Sequence, residues 1–125
     1  MIPKYIIVRE ITKVFNSYRP NEIFVPHISD VHSDHKVVSE VISTCTKNFR
    51  FPFIKRILAY ETISETEYNL HKSKQFYPNF FEDISDFLSK KIKASKIYKS
   101  EMKKFPFPRS SKAIESQARW RGTLI

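Results

Sequence analysis

Glycine is almost absent from this sequence, in which Gly122 is the only one among 125 residues. The P-loop and the Gly-x-Gly-x-x-Gly dinucleotide fingerprint both need several glycines, because their backbone must approach a phosphate closely. The sequence therefore excludes these two nucleotide-binding motifs.

Cysteine and long apolar runs are equally scarce. With Cys45 alone no internal disulfide can form, which is typical of a protein from the reducing cytoplasm. No apolar run approaches the ~20 residues of a membrane span, and the N-terminus lacks the pattern of a secretory signal. We therefore expect a cytoplasmic protein without a transmembrane segment.

Cys45 itself is predicted to be a small core residue, since no histidine is placed to activate it.

Acidic residues are few in the last third of the chain. Residues 86–125 contain 11 Lys/Arg and 3 Asp/Glu, whereas the first 85 residues contain 11 and 10. Such a basic segment suits nucleic acid, an anionic membrane or an anionic substrate. The alternative is a lysine-rich helix face in contact with water, which we favour because clustering in sequence does not establish clustering in space.

The apolar pattern predicts alternating helices and strands. Helices are expected over 4–18, 34–47 and 85–98 and from Ser110 or Ser111 onward, and apolar strands over 22–26 and 57–60. Both strands are of the kind that is buried on both faces of a parallel sheet. The aromatic segment 76–81 is expected to pack on the core, or else to line a cleft. The alternation itself indicates βαβ units and an α/β fold.

Two strands are too few to complete such a fold. A sheet this small leaves strand edges open and apolar helix faces uncovered. The first helix also lacks the strand from which it should cross over. We therefore expect this chain to be part of a larger α/β domain.

Four ionisable side chains lie between the first strand and the second helix, namely those of Asp30, His32, Asp34 and His35. Open α/β sheets bind their ligands at this place. His32 and His35 can turn the same way from the start of the helix. Two imidazoles with carboxylates nearby suit a zinc site or a general-acid site. The alternative is that His32 and Asp34 only cap the helix and that His35 is a surface residue.

Glu61 follows the second strand directly. Because parallel strands end at one edge of the sheet, Glu61 could point toward the same pocket as His32 and bind substrate. As a lone carboxylate, it is explained better as a surface residue or a helix cap.

The segment Phe24-Val25-Pro26-His27, followed by Asp30-x-His32-x-Asp34-His35, resembles the second motif of the PIG-L/LmbE deacetylases. These are zinc enzymes that remove the N-acetyl group from N-acetylglucosamine-type sugars. The resemblance covers nearly all of this chain but only the C-terminal portion of the family's domain. Weaker matches are Tyr60-Glu61-Thr62, Asp83-Ile84-Ser85 ahead of Lys90-Lys91-Ile92-Lys93-Ala94, Tyr98-Lys99-Ser100-Glu101 and Arg121-Gly122.

The resemblance implies a Rossmann-like three-layer domain with a mostly parallel sheet, of which residues 1–125 form a single, partial domain. It implies that His35 is a zinc ligand. It implies that His32 stabilises the tetrahedral intermediate or protonates the leaving amine, with Asp34 holding its ring. Asp30 would lie at the rim of the pocket, in contact with substrate.

The family's first motif, Pro-His-Pro-Asp-Asp-Glu, is absent, together with the N-terminal strands. That motif supplies a histidine and an aspartate to the metal and a second aspartate as general base. Pro26-His27-Ile28-Ser29-Asp30 is only a distant match, with serine where the base should be. A catalytic zinc usually has three protein ligands, so we expect an incomplete zinc site in this chain.

These observations predict a truncated or split zinc-dependent N-deacetylase. Its expected partners are a small amino-sugar substrate and either a complementing N-terminal polypeptide or a second copy of the chain. Nucleic acid is not expected under this hypothesis. The alternative is a non-catalytic basic module that binds an anionic partner such as nucleic acid, whose affinity would fall steeply with salt.

Overall fold

The computed structural model describes residues 2–125, apart from the side chain of Lys72. The chain divides into two compact units, the first ending at Phe76 and the second spanning Tyr77–Ile125. The described residues form four α-helices and a two-stranded parallel sheet, which is a small α/β fold.

The first unit carries both strands. In chain order its elements are α1 (Lys4–Tyr18), β1 (Glu22–Pro26), α2 (Ser33–Cys45) and β2 (Arg56–Tyr60), followed by two short 3-10 turns at Thr66–Tyr68 and Lys72–Lys74. β1 and β2 pair in parallel, from Glu22 opposite Arg56 to Pro26 opposite Tyr60. The predicted order of helices and strands is therefore confirmed, and both strands end at one edge of the sheet.

The core of this unit lies between α1 and α2. Phe15, Val41, Cys45 and Phe51 form its buried cluster, in which the rings of Phe15 and Phe51 meet edge to face at 5.3 Å. The predicted burial of Cys45 is confirmed. α1 ends at Arg19, whose left-handed backbone lets its N–H donate to the Phe15 carbonyl at 2.8 Å.

The prediction that both strands are buried on both faces is wrong. Only Val25 and Pro26 of β1 are buried, no residue of β2 is, and Phe24 is 66% exposed. α2 packs on β1, but neither α1 nor α2 packs on β2 among the described residues. Phe24 and its partner Leu58 lie on the face of the sheet opposite to Val25, and the large side chain of Phe24 remains in contact with water.

The second unit contains α3 (Leu88–Ser95) and α4 (Ser111–Gly122), which pack on each other. The predicted start of α4 is confirmed, because Ser110 caps it by accepting the Ala113 N–H at 3.2 Å. The predicted start of α3 at Ser85 is wrong. The amide and hydroxyl of Ser85 both donate to Asp83 Oδ1, at 2.9 and 2.6 Å, so these residues form a turn and the helix begins later.

The aromatic segment 76–81 has no regular secondary structure. Its predicted burial is wrong for Tyr77 and Phe80, which are both exposed. Among the described residues, no helix has the length and apolar content needed to cross a bilayer.

The exposed sheet face generates a prediction about self-association. We expect Phe24→Thr to weaken self-association about tenfold, because removing a large apolar side chain from a contact costs about 1.5–3 kcal/mol. Threonine retains a good strand propensity, so the fold should persist. Phe49→Thr is the matched control, since Phe49 is equally exposed but lies outside the sheet. Sedimentation equilibrium measures the self-association of both variants. Equal effects of the two substitutions would show that the sheet face does not form the contact between copies.

Candidate functional site

The ionisable groups of residues 30–35 are brought together by the connection between β1 and α2. After Pro26 the chain turns, with the Asp30 N–H donating to the His27 carbonyl at 3.0 Å. α2 then begins at Ser33, the residue after His32. This places residues 30–35 beyond the carboxyl end of a parallel strand, where α/β folds bind ligands.

Asp30 is the centre of this arrangement. Its side chain is completely buried, and both carboxylate oxygens have partners. Oδ1 accepts the backbone N–H of His32 at 2.8 Å, and Oδ2 lies 2.8 Å from Nδ1 of His35. The resemblance implies that Asp30 lies at the pocket rim in contact with substrate, whereas here it is a buried residue that positions both histidines.

The contact with Asp30 defines the orientation of the His35 ring. An ionised carboxylate only accepts hydrogen bonds, so the proton of His35 belongs on Nδ1. The lone pair of Nε2 is then free, and the His35 side chain is 30% exposed. This is the orientation that metal-ligating histidines usually have, with a carboxylate holding the nitrogen remote from the metal.

His32 is oriented by the helix that it caps. Its Nδ1 accepts the backbone N–H of Asp34 at 3.2 Å, and this contact leaves Nε2 as the nitrogen that carries a proton. Asp34 therefore holds the ring of His32 through its backbone amide. The capping role that the sequence left open is thus observed, together with an exposed Nε2–H donor.

The two imidazoles lie side by side, with ring centroids 4.7 Å apart and planes inclined by 33°. The spacing of three residues therefore does turn them the same way. Glu61 follows β2 at the same edge of the sheet and is half-buried. The catalytic and metal-binding roles of these residues remain predictions, since their placement alone does not test them.

His27 is the residue that the sequence analysis left without a role. The Ser29 hydroxyl donates to its Nδ1 at 2.5 Å, and its ring meets Phe76 edge to face at 5.2 Å. Burial lowers the pKa of His27, against the smaller opposing effect of the Asp30 charge. Its position directly after a strand and two residues before a serine was the available signal.

No model of a known protein family matches this sequence. Within the part of the chain that the structure describes, no three His, Cys, Asp or Glu side chains lie close enough together to hold a metal ion. Zinc binding by His35 stays a prediction, and a catalytic zinc would need ligands beyond this residue.

The Asp30 contact predicts a change of tautomer. In Asp30→Asn, the amide oxygen can still accept the His32 N–H, but the amide nitrogen then faces Nδ1 of His35 and can only donate. We expect the His35 proton to move from Nδ1 to Nε2, which nitrogen-15 chemical shifts of the imidazole report directly. Ser39→Ala, a substitution at another buried polar residue, is the control. An unchanged His35 tautomer would contradict the proposed orientation.

Burial of His27 predicts a dependence of stability on pH. Because the pKa of His27 is lowered on folding, the unfolded chain takes up a proton first as the pH falls below about 6.5. The contribution of His27 to the free energy of unfolding is complete above that pH and is lost progressively as the pH falls toward its lowered pKa. His27→Asn, which retains an acceptor for Ser29, should flatten the slope of unfolding free energy against pH. His71→Asn, in an exposed loop, should leave it unchanged, and equal slopes in all three proteins would refute this explanation.

Proposed function

We propose that this chain contributes His35 and His32 to the site of a zinc-dependent N-deacetylase that acts on an N-acetylglucosamine-type sugar. The observation that carries the proposal is the buried Asp30, which holds His35 through Nδ1 and leaves its Nε2 free, with the ring of His32 4.7 Å away. The resemblance of the Asp-x-His-x-Asp-His string to the PIG-L/LmbE deacetylases supports the same function.

The residues of this chain would supply one zinc ligand, His35, and a second polypeptide would supply the others. Imidazole Nε2 with a carboxylate behind it is a preferred zinc ligand, whereas two or more further protein ligands are needed for catalysis. β1 and β2 pair only with each other among the described strands, so each has an open edge. A complementing polypeptide that adds parallel strands there would extend the sheet toward a Rossmann-like three-layer domain and bring its ligands to the same edge.

The residues of this chain have distinct tasks in such a site. Zinc, when bound, would polarise the acetamide carbonyl and make a water molecule more acidic. The Nε2–H of His32 would donate a hydrogen bond to the acetamide oxygen as negative charge develops there. To protonate the departing nitrogen, the ring would first take up a second proton at Nδ1, in place of the contact with the Asp34 amide, and then give up the proton of Nε2 and return to the neutral form. Asp30 keeps His35 in one orientation throughout, because its second oxygen is fixed by the His32 backbone.

The test is reconstitution of the complete site. Alone, the chain should bind zinc weakly and release no acetate from N-acetylglucosamine compounds. A polypeptide that carries the missing strands and Pro-His-Pro-Asp-Asp-Glu should restore both tight zinc binding and turnover. In the reconstituted complex, His35→Ala should abolish the zinc site, measured by competition with a chelating dye.

The histidine variants separate the proposed roles. His32→Ala should retain much of the zinc affinity while the rate falls about 100-fold or more, because its task lies in the transition state. His71→Ala is the matched control and should change neither. Tight stoichiometric zinc and deacetylase activity from the isolated chain would refute the assignment, and so would a complementing polypeptide that binds without restoring either property.

A further inference from the structure

A cavity of about 450 Å³ that opens widely to solvent lies on the surface of the second unit, around the start of α4. Four of its eight lining residues are lysines, and no carboxylate lines it. The lining consists of Lys96, Met102, Lys103, Lys104, Phe105, Ser110, Ser111 and Lys112. Its size lies in the range of about 300–1,000 Å³ typical of small-molecule sites.

The lysines of this cavity have no acidic partners in the part of the chain that the structure describes. The nearby carboxylates are paired with arginines instead. Glu101 accepts from Arg109 at 2.7 Å, and Glu115 accepts from Arg119 at 2.8 and 3.0 Å. Four like charges therefore remain around one concave surface, where they repel each other and attract an anion.

Ser110 adds a buried donor to this positive field. Its side chain is only 2% exposed, and its oxygen accepts the Ala113 N–H. The hydroxyl proton has no acceptor among the described residues, so it is available to a ligand oxygen. The first amides of α4 follow directly at Ser111 and Lys112, and a helix N-terminus also favours negative charge.

The remaining lining residues are apolar. Phe105 is 58% exposed, with the Lys112 ammonium 4.7 Å from the centre of its ring. Met102, beside it, is flexible and polarisable, which suits contact with a flat organic group. The cavity thus offers cations and a hydroxyl for a phosphate group and an aromatic side chain for a ring.

We propose that this cavity binds a small phosphorylated compound with a flat ring, of the nucleoside phosphate class. The phosphate is bound by the lining lysines and the Ser110 hydroxyl, and the ring packs against Met102 and Phe105, from which the Lys112 ammonium moves to the phosphate. The Lys103 ammonium, now on the ring of Phe107, moves to the phosphate in the same way. A small ligand is favoured over a nucleic acid strand because the four lysines line one cavity of small-molecule size. Other exposed lysines of this unit, such as Lys90 and Lys91 on α3, do not line it.

Calorimetric titration with adenosine diphosphate, inorganic phosphate and a single-stranded oligothymidylate tests the proposal on the full chain. We expect adenosine diphosphate to bind more tightly than inorganic phosphate. The double variant Lys103→Gln/Lys112→Gln should raise its Kd about tenfold or more, since each charged hydrogen bond is worth at least about one factor of ten. Lys90→Gln/Lys91→Gln removes the same charge outside the cavity and should change the Kd less than about twofold, because exposed charges are screened at this distance. Circular dichroism verifies that both variants remain folded.

Three results would overturn the proposal. The first is a Kd for adenosine diphosphate above the millimolar range. The second is adenosine diphosphate binding no tighter than inorganic phosphate, which would remove the role of Phe105. The third is an oligothymidylate affinity that is steeply salt-dependent and weakened equally by both double variants, which would identify an extended nucleic-acid surface instead.

Discussion

The arrangement of the candidate site depends on one buried carboxylate. Asp30 is excluded from water, and a buried charge is costly unless its oxygens receive hydrogen bonds. Both oxygens are satisfied locally, one by a backbone amide and one by an imidazole. The same two bonds shape the connection between β1 and α2 and orient His35. A substitution of Asp30 would therefore disturb both the connection between β1 and α2 and the orientation of the His35 ring.

The elements that the sequence predicts well are those whose apolar spacing is regular. α1 and β1 have the predicted boundaries because Arg19 and Pro20 interrupt the helix and Pro26 ends the strand. The burial of the strands could not be read from the same pattern. An apolar strand has the same sequence pattern whether helices cover both of its faces or one, and Phe24 is exposed because no described element of the first unit covers its face of the sheet. The start of α3 was predicted wrongly for a different reason. A serine two residues after an aspartate can form a turn as readily as it can cap a helix.

For the site, the sequence identifies the right residues but not their partners. The spacing of His32 and His35 brings their rings together, as helix geometry requires. Which carboxylate would hold which imidazole was not decided by spacing. Asp34 is nearer to His35 in sequence, yet Asp30 reaches it because the turn at residues 27–30 directs Asp30 inward. His27 was overlooked because its partners, Ser29 and Phe76, become neighbours only through that turn and a distant loop.

All the groups around Asp30 come from one short stretch of chain. Asp30 and His35 are five residues apart, and Asp30 and His32 only two. Closing so short a loop costs little chain entropy, whereas pairing β1 with β2 joins residues 34 positions apart. The orientation of the histidines is thus encoded by local contacts, while the pairing of the strands relies on distant ones. Because neither of the two Asp30 contacts involves the strand pairing, we expect the orientation of the histidines to persist when the surrounding sheet is lengthened.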